Sequence, residues 1–237
     1  HVRSRRQRQM CIRDREMSSL FVKEENDQQG RAQGDGHYGL NLYRTFDGLD
    51  QLFELDYSLD KNMLVDSNAT ERLYQQSGVG VQSGYSTILL GLHNSDPFKG
   101  STIIDLGSGY GRVGLVTALL RPDINFIGYE FVPHRVDASN QASLKFKLNI
   151  QLKFEVQDLS DVEFQIPSAD IFYLYDPFTH ETYQHVLKQI IAISKKKDIK
   201  IITKGNAKSW FDEMALENRW PSPKIIDEGN LCVYSSV

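Results

Sequence analysis

Thr102-Ile-Ile-Asp-Leu-Gly-Ser-Gly-Tyr-Gly-Arg112 is the stretch on which the fold turns. An apolar run leads into Asp105 and is followed by glycine at positions 107, 109 and 111. Glycines without Cβ atoms let a backbone turn tightly at the carboxyl end of a strand and let a ligand lie against the chain. That is the crevice where open α/β sheets bind their ligands.

Downstream, short apolar runs alternate with helical stretches. The spacing predicts strands at Thr102–Leu106, Asn125–Tyr129, Leu152–Val156, Ile171–Tyr175 and Ile199–Thr203. It predicts helices after Gly111, from Val132 to about Leu148, and over Glu181–Ile193. Such alternation specifies a mainly parallel sheet with helices on both faces, because parallel neighbours need crossover connections. At the end, Lys224–Asp227 and Leu231–Tyr234 are separated by little more than Gly229-Asn230, a hairpin signal that closes the sheet with antiparallel strands. The expected fold is α/β: a Rossmann-like sheet of about seven strands, mainly parallel, ending in an antiparallel hairpin and preceded by a helical cap.

Upstream, apolar residues recur at helical spacing in Leu49, Leu52, Phe53 and Leu55, and again in Ile88, Leu89 and Leu92. Residues 26–38 are rich in Gly, Asn, Asp and Gln and read as a loop. The expected organisation is a basic leader and linker over 1–38, a helical cap over 39–98 and the sheet domain over 99–237.

The glycine turn admits two ligand classes. Gly109-Tyr-Gly111-Arg-Val-Gly114 also fits the dinucleotide fingerprint, which would imply an NAD-dependent oxidoreductase. A pyrophosphate on the helix N-terminus would then lie close to the charge of Asp105. S-adenosylmethionine has no phosphate and carries an ammonium and a sulfonium, which an acid at the strand end attracts. The roughly 126 residues after Gly111 complete one sheet and leave no room for a dehydrogenase substrate domain.

Asp105-Leu-Gly-Ser-Gly-Tyr-Gly111 resembles motif I of class I S-adenosylmethionine-dependent methyltransferases, and further acids follow in the family's order. The resemblance implies that Asp105, Gly107, Gly109 and Gly111 cradle the cofactor. Glu130, with Phe131 beside it, would hold both ribose hydroxyls, and Asp158 and Leu159 would contact the adenine. Asp176-Pro177-Phe178 resembles motif IV, which lines the methyl-transfer site; Asp176 would face the substrate and Phe178 would offer an aromatic wall. Tyr173 and Tyr175 are available for the same wall, although strand alternation explains them too. Tyr85 sits where related enzymes lay a lid over the cofactor, and core packing accounts for it equally. Asp-Leu-Gly-Ser-Gly-x-Gly-Arg followed by Gly-Tyr-Glu is also similar to non-SET protein lysine methyltransferases, which implies N-methylation of a protein lysine or another amine. A methyltransferase fold retained only as a binding module is the remaining alternative; the intact acids at 105, 130 and 158 argue against it.

Composition fits this reading. Of 237 residues, 40% are hydrophobic and 24% charged, as in a globular protein, and the net charge of -4 gives no global attraction to nucleic acid or an anionic membrane. Residues 1–22 are locally basic, with six arginines against Asp14 and Glu16. A protein substrate is expected, and nucleic acid and membrane are not. Cys11 and Cys232 are too few for a disulfide framework, and no apolar run is long enough to span a bilayer, so the chain reads as cytosolic. His180 and His185 are five apart, a poor match to a helical ligand pair, and no metal is expected.

Overall fold

A computed structural model describes residues 47–62, 82–175, 178–205, 207–226 and 231–237. The leader and linker over 1–38, and the turn at Gly229-Asn230, lie outside the described residues.

Seven strands form one sheet: β1 (Thr102–Leu106), β2 (Asn125–Glu130), β3 (Leu152–Val156), β4 (Ile171–Tyr175), β5 (Lys200–Lys204), β6 (Lys224–Ile226) and β7 (Leu231–Ser235). Their spatial order is β3-β2-β1-β4-β5-β7-β6. The first five pair in parallel, whereas β7 runs antiparallel to both β5 and β6. The antiparallel end expected from the sequence is present, with β7 inserted between β5 and the edge strand β6.

The described helices are α1 (Asp47–Phe53), α2 (Tyr85–Ser95), α3 (Arg112–Leu120), α4 (Pro133–Lys145), α5 (His180–Ser194) and α6 (Ala207–Glu217), with a 3-10 turn at Ser58–Asn62. Local chemistry sets their ends. Pro133 opens α4 at a position where a missing N–H costs nothing. Asp96 closes α2 in the left-handed region at φ 45°, donates its N–H to Leu92, and is followed by Pro97. The helix expected to run to Leu148 stops at Lys145, where Phe146 caps it and Lys147 turns to φ 59°. Helix α6 was not expected from the sequence. Among the described residues, no helix is long and apolar enough to cross a membrane.

Strand alternation splits the core into two layers, one on each face of the sheet. Ile171 and Tyr173 of β4 join Leu49, Phe53, Ile88, Leu115 and Val136 on the α1–α4 face. Phe172 and Leu174 join Tyr183, Val186, Ile190, Phe211 and Met214 on the α5–α6 face. The described part of the N-terminal region therefore shares a core with the sheet.

Candidate functional site

The reversal of strand order between β1 and β4 opens a crevice at their carboxyl ends. Gly107, Gly109 and Gly111 all take positive φ, at 90°, 54° and 77°. They fold the chain back over the end of β2: the N–H groups of Gly107 and Ser108 both donate to the Tyr129 carbonyl at 2.9 and 2.8 Å, and Gly109 N–H donates to Glu130 Oε2 at 2.7 Å. At Gly111 a side chain is barred twice, by its φ and because a Cβ would stand 2.6 Å from the Phe154 ring.

Asp105 is 2% exposed, and burial, with the nearby charge of Glu130, holds its carboxyl well above the ordinary carboxylate range. It lines a cleft with Gly107, Ser108 and Gly109 of the glycine turn, Tyr173 and Tyr175 of β4, and Gln82 and Ser83. The Tyr173 hydroxyl donates to Ser83 Oγ at 2.8 Å, and the Gln82 amide lies so close to Gly109 that a Cβ there would meet its Nε2 at 2.9 Å. The free space in the cleft is about 30 Å³, enough for a water or two. Lys204 Nζ stands 4.4 Å from the centroid of the Tyr175 ring.

Two buried ion pairs tie the N-terminal elements to this edge, and neither was expected from the sequence. Asp50 of α1 binds Arg112, the first residue of α3, at both carboxylate oxygens, and the Tyr85 hydroxyl donates to the same carboxylate. The Arg112 guanidinium lies 5.1 Å from the Tyr85 ring. Asp60 of the 3-10 turn binds Arg135 of α4 through Nε and Nη2, each at 3.1 Å, and His134 Nε2 at 2.7 Å. Burial raises the Asp60 carboxyl, but the charge and bonds of Arg135, together with bonds from His134 and Tyr110, hold the group below its ordinary value. These partners are 62 and 75 residues apart, far beyond any local period.

The residues expected from the sequence divide into those the structure gathers and those it does not. Asp158, Glu130 and Asp105 stand at or just beyond the ends of β3, β2 and β1, which are adjacent in that order. Glu130 is 3% exposed and accepts from Gly109 N–H at one oxygen and from Val132 N–H at the other. Asp158 accepts from the N–H and hydroxyl of Ser160, which fixes the turn after β3. Phe131 is half-buried beside Glu130, while Leu159 is buried in the α5–α6 layer. Tyr85 is fully buried. Asp176 and Pro177 lie outside the described residues. The Phe178 ring has no exposed surface and packs edge-on against Tyr183 at 5.1 Å, in the core layer that holds Phe172 and Leu174. His180 and His185 bond to Gln184 and Gln189 along their own helix.

A family model described as a methyltransferase domain matches residues 97–229, more than half of the chain. No curated protein matches. Among solved structures the chain is similar to an uncharacterized protein from Listeria monocytogenes serotype 4b, with a TM-score of 0.50 and 17% identity over 66% of this chain and 69% of that one. It is also similar to an RNA methyltransferase from Salinibacter ruber solved with S-adenosyl-L-homocysteine, with a TM-score of 0.48 and 19% identity over 65% and 92% of the two chains. TrmN from Thermus thermophilus is similar with a TM-score of 0.49 and 15% identity over 62% and 47%. The oxidoreductase alternative falls with the family match. The chain belongs to the class I S-adenosylmethionine-dependent methyltransferases.

Proposed function

We propose that this methyltransferase transfers its methyl group to an amine nitrogen, of a protein lysine or of a smaller molecule, presented at the carboxyl end of β4. The cleft suits the cofactor. It offers the buried acid Asp105 to a ligand that carries an ammonium, with the buried Glu130 at the end of the neighbouring strand, and it holds the Ser108 hydroxyl, which is buried without a hydrogen-bond partner among the described residues. Asp105 would hold the ammonium end, Glu130 the ribose and Asp158 the adenine edge, with Leu159 supporting that turn from the core. Bound there, S-adenosylmethionine supplies a methyl carbon activated by a sulfonium sulfur.

The chain's own residues then have to orient an acceptor and exclude water. The observation that carries the amine reading is the pair Tyr173 and Tyr175, which line the same cleft as Asp105, Tyr173 beside it on the neighbouring strand. The Tyr175 ring already takes a cation, Lys204, on its face, the contact by which an aromatic ring steers an ammonium. An amine must be neutral to attack. A second cation near Lys204 is disfavoured by like charge, so an incoming amine gives up its proton to water more readily there.

Incubation of the enzyme with tritiated S-adenosylmethionine and fractionated lysate, with the labelled product identified by mass spectrometry, tests this directly. Label on a lysine or small-molecule nitrogen is expected. Label on a carboxyl or hydroxyl oxygen, on carbon, or on RNA would overturn the amine reading.

A further inference from the structure

The two buried ion pairs raise the question of what the N-terminal elements do beyond packing. Arg135 answers it for one of them. Its Nε and Nη2 both face Asp60, which fixes the plane of the guanidinium, and its remaining nitrogen, Nη1, stands 3.5 Å from Glu130 Oε1. All three residues are buried, at 2% exposure for Asp60, 8% for Arg135 and 3% for Glu130. Tyr110 of the glycine loop lies beneath the same group, 5.9 Å from the guanidinium and edge-on to Tyr57 at 4.4 Å. The loop is thus held between Tyr57 and Asp60 from above and the end of β2 from below.

We propose that Asp60 is a positioning residue for the cofactor: by fixing Arg135 against one oxygen of Glu130, it sets cofactor affinity without touching the ligand. The inference rests on the reading that Glu130 receives the ribose hydroxyls. The charge of Glu130 lies near the buried Asp105 carboxyl and helps to raise it, and Arg135 supplies Glu130 with a compensating cation. With Asp60 neutralised, that cation loses its bidentate partner and turns fully onto Glu130, where it competes with the ribose. With Arg135 shortened, Glu130 loses its counter-charge. Either change weakens binding.

The test is calorimetric titration of S-adenosylhomocysteine into the full chain and into Asp60→Asn, Asp60→Glu, Arg135→Lys, Glu130→Gln and the Asp60→Asn/Glu130→Gln double variant. All are measured below their melting midpoints. Asp60→Asn and Arg135→Lys should each weaken binding tenfold or more, with kcat at saturating cofactor unchanged, and Asp60→Glu should recover part of the loss. The double variant should bind no more weakly than Glu130→Gln alone, because both changes act on one carboxylate. Wild-type affinity in Asp60→Asn, or in Arg135→Lys should the first fail to fold, would overturn the proposal, as would losses that multiply independently in the double variant. Unchanged affinity in Glu130→Gln would identify a different failure, that of the ribose reading itself.

Discussion

The carboxyl edge of the sheet has two halves built by different physics. On the β1–β2 half, backbone requirements dominate: three glycines at positive φ, acids at successive strand ends, and two arginines held by carboxylates from the N-terminal elements. On the β4–β5 half, aromatic rings dominate, and their roles follow from which face of the sheet each ring falls on. Tyr173 and Tyr175 belong to the cleft, whereas Phe178 belongs to the opposite core layer. A backbone requirement leaves its mark in residue type and spacing. A choice of face at the end of a strand does not.

The largest effects should be on stability, one in each half. Asp50→Ala strands the buried charge of Arg112 and should cost about 3–5 kcal/mol in denaturant unfolding. The half-buried Lys208–Asp212 pair of α6, with no charge left deep in the core, should matter far less. Equal losses at the two sites would remove the argument that the N-terminal elements are pinned to the cofactor half. On the other half, Phe178→Ala opens a core cavity and should also cost about 3–5 kcal/mol. Turnover per folded molecule should be nearly normal; a selective loss of methyl transfer in a fully stable variant would return Phe178 to the acceptor site.

Much of the β1–β2 half was legible in advance because its constraints are local. A strand, an acid and alternating glycines within eleven residues fix the turn, and the acids at 130 and 158 follow at the ends of the next two strands. The partners of Arg112 and Arg135 were not legible, since an ion pair across 62 or 75 residues leaves no periodic trace. Helix α6 was missed for a different reason. Its buried residues, Ala207, Phe211, Met214 and Ala215, do fall at helical spacing, but they lie among polar positions that dilute the apolar period. The burial of Phe178 was not legible either, because spacing alone does not say which face of a sheet a ring takes beyond the end of a strand.

Smaller effects sharpen the contrast. Tyr175→Ala should lower methyl transfer about tenfold, equivalent to about 1.4 kcal/mol, while cofactor affinity stays unchanged. A loss of affinity with normal turnover at saturation would move Tyr175 into the cofactor half. Smaller still is a pH effect confined to that half. Burial, with the charge of Glu130, raises the Asp105 carboxyl, so the free protein holds a proton there at a pH where an ordinary aspartate would not. A ligand ammonium favours the carboxylate, so binding should release a proton and tighten as pH rises toward the free-state value. The same shift works the other way on folding, since a raised carboxyl contributes stability that is lost as pH rises. Calorimetry of S-adenosylmethionine binding in buffers of different ionisation enthalpy should show the release, and Asp105→Asn should abolish it. Proton release that survives in Asp105→Asn would place the titrating group elsewhere.

The central claim is that the β1–β2 half binds S-adenosylmethionine through its buried acids. Titration of S-adenosylhomocysteine into the wild type and Glu130→Ala, with NAD as the competing ligand, tests it most directly. We predict binding of S-adenosylhomocysteine and none of NAD, and a loss of about 1.5–3 kcal/mol in Glu130→Ala, the range for a charged hydrogen-bonding group left without its partner. Unchanged affinity in a Glu130→Ala protein whose melting curve matches the wild type would contradict the account.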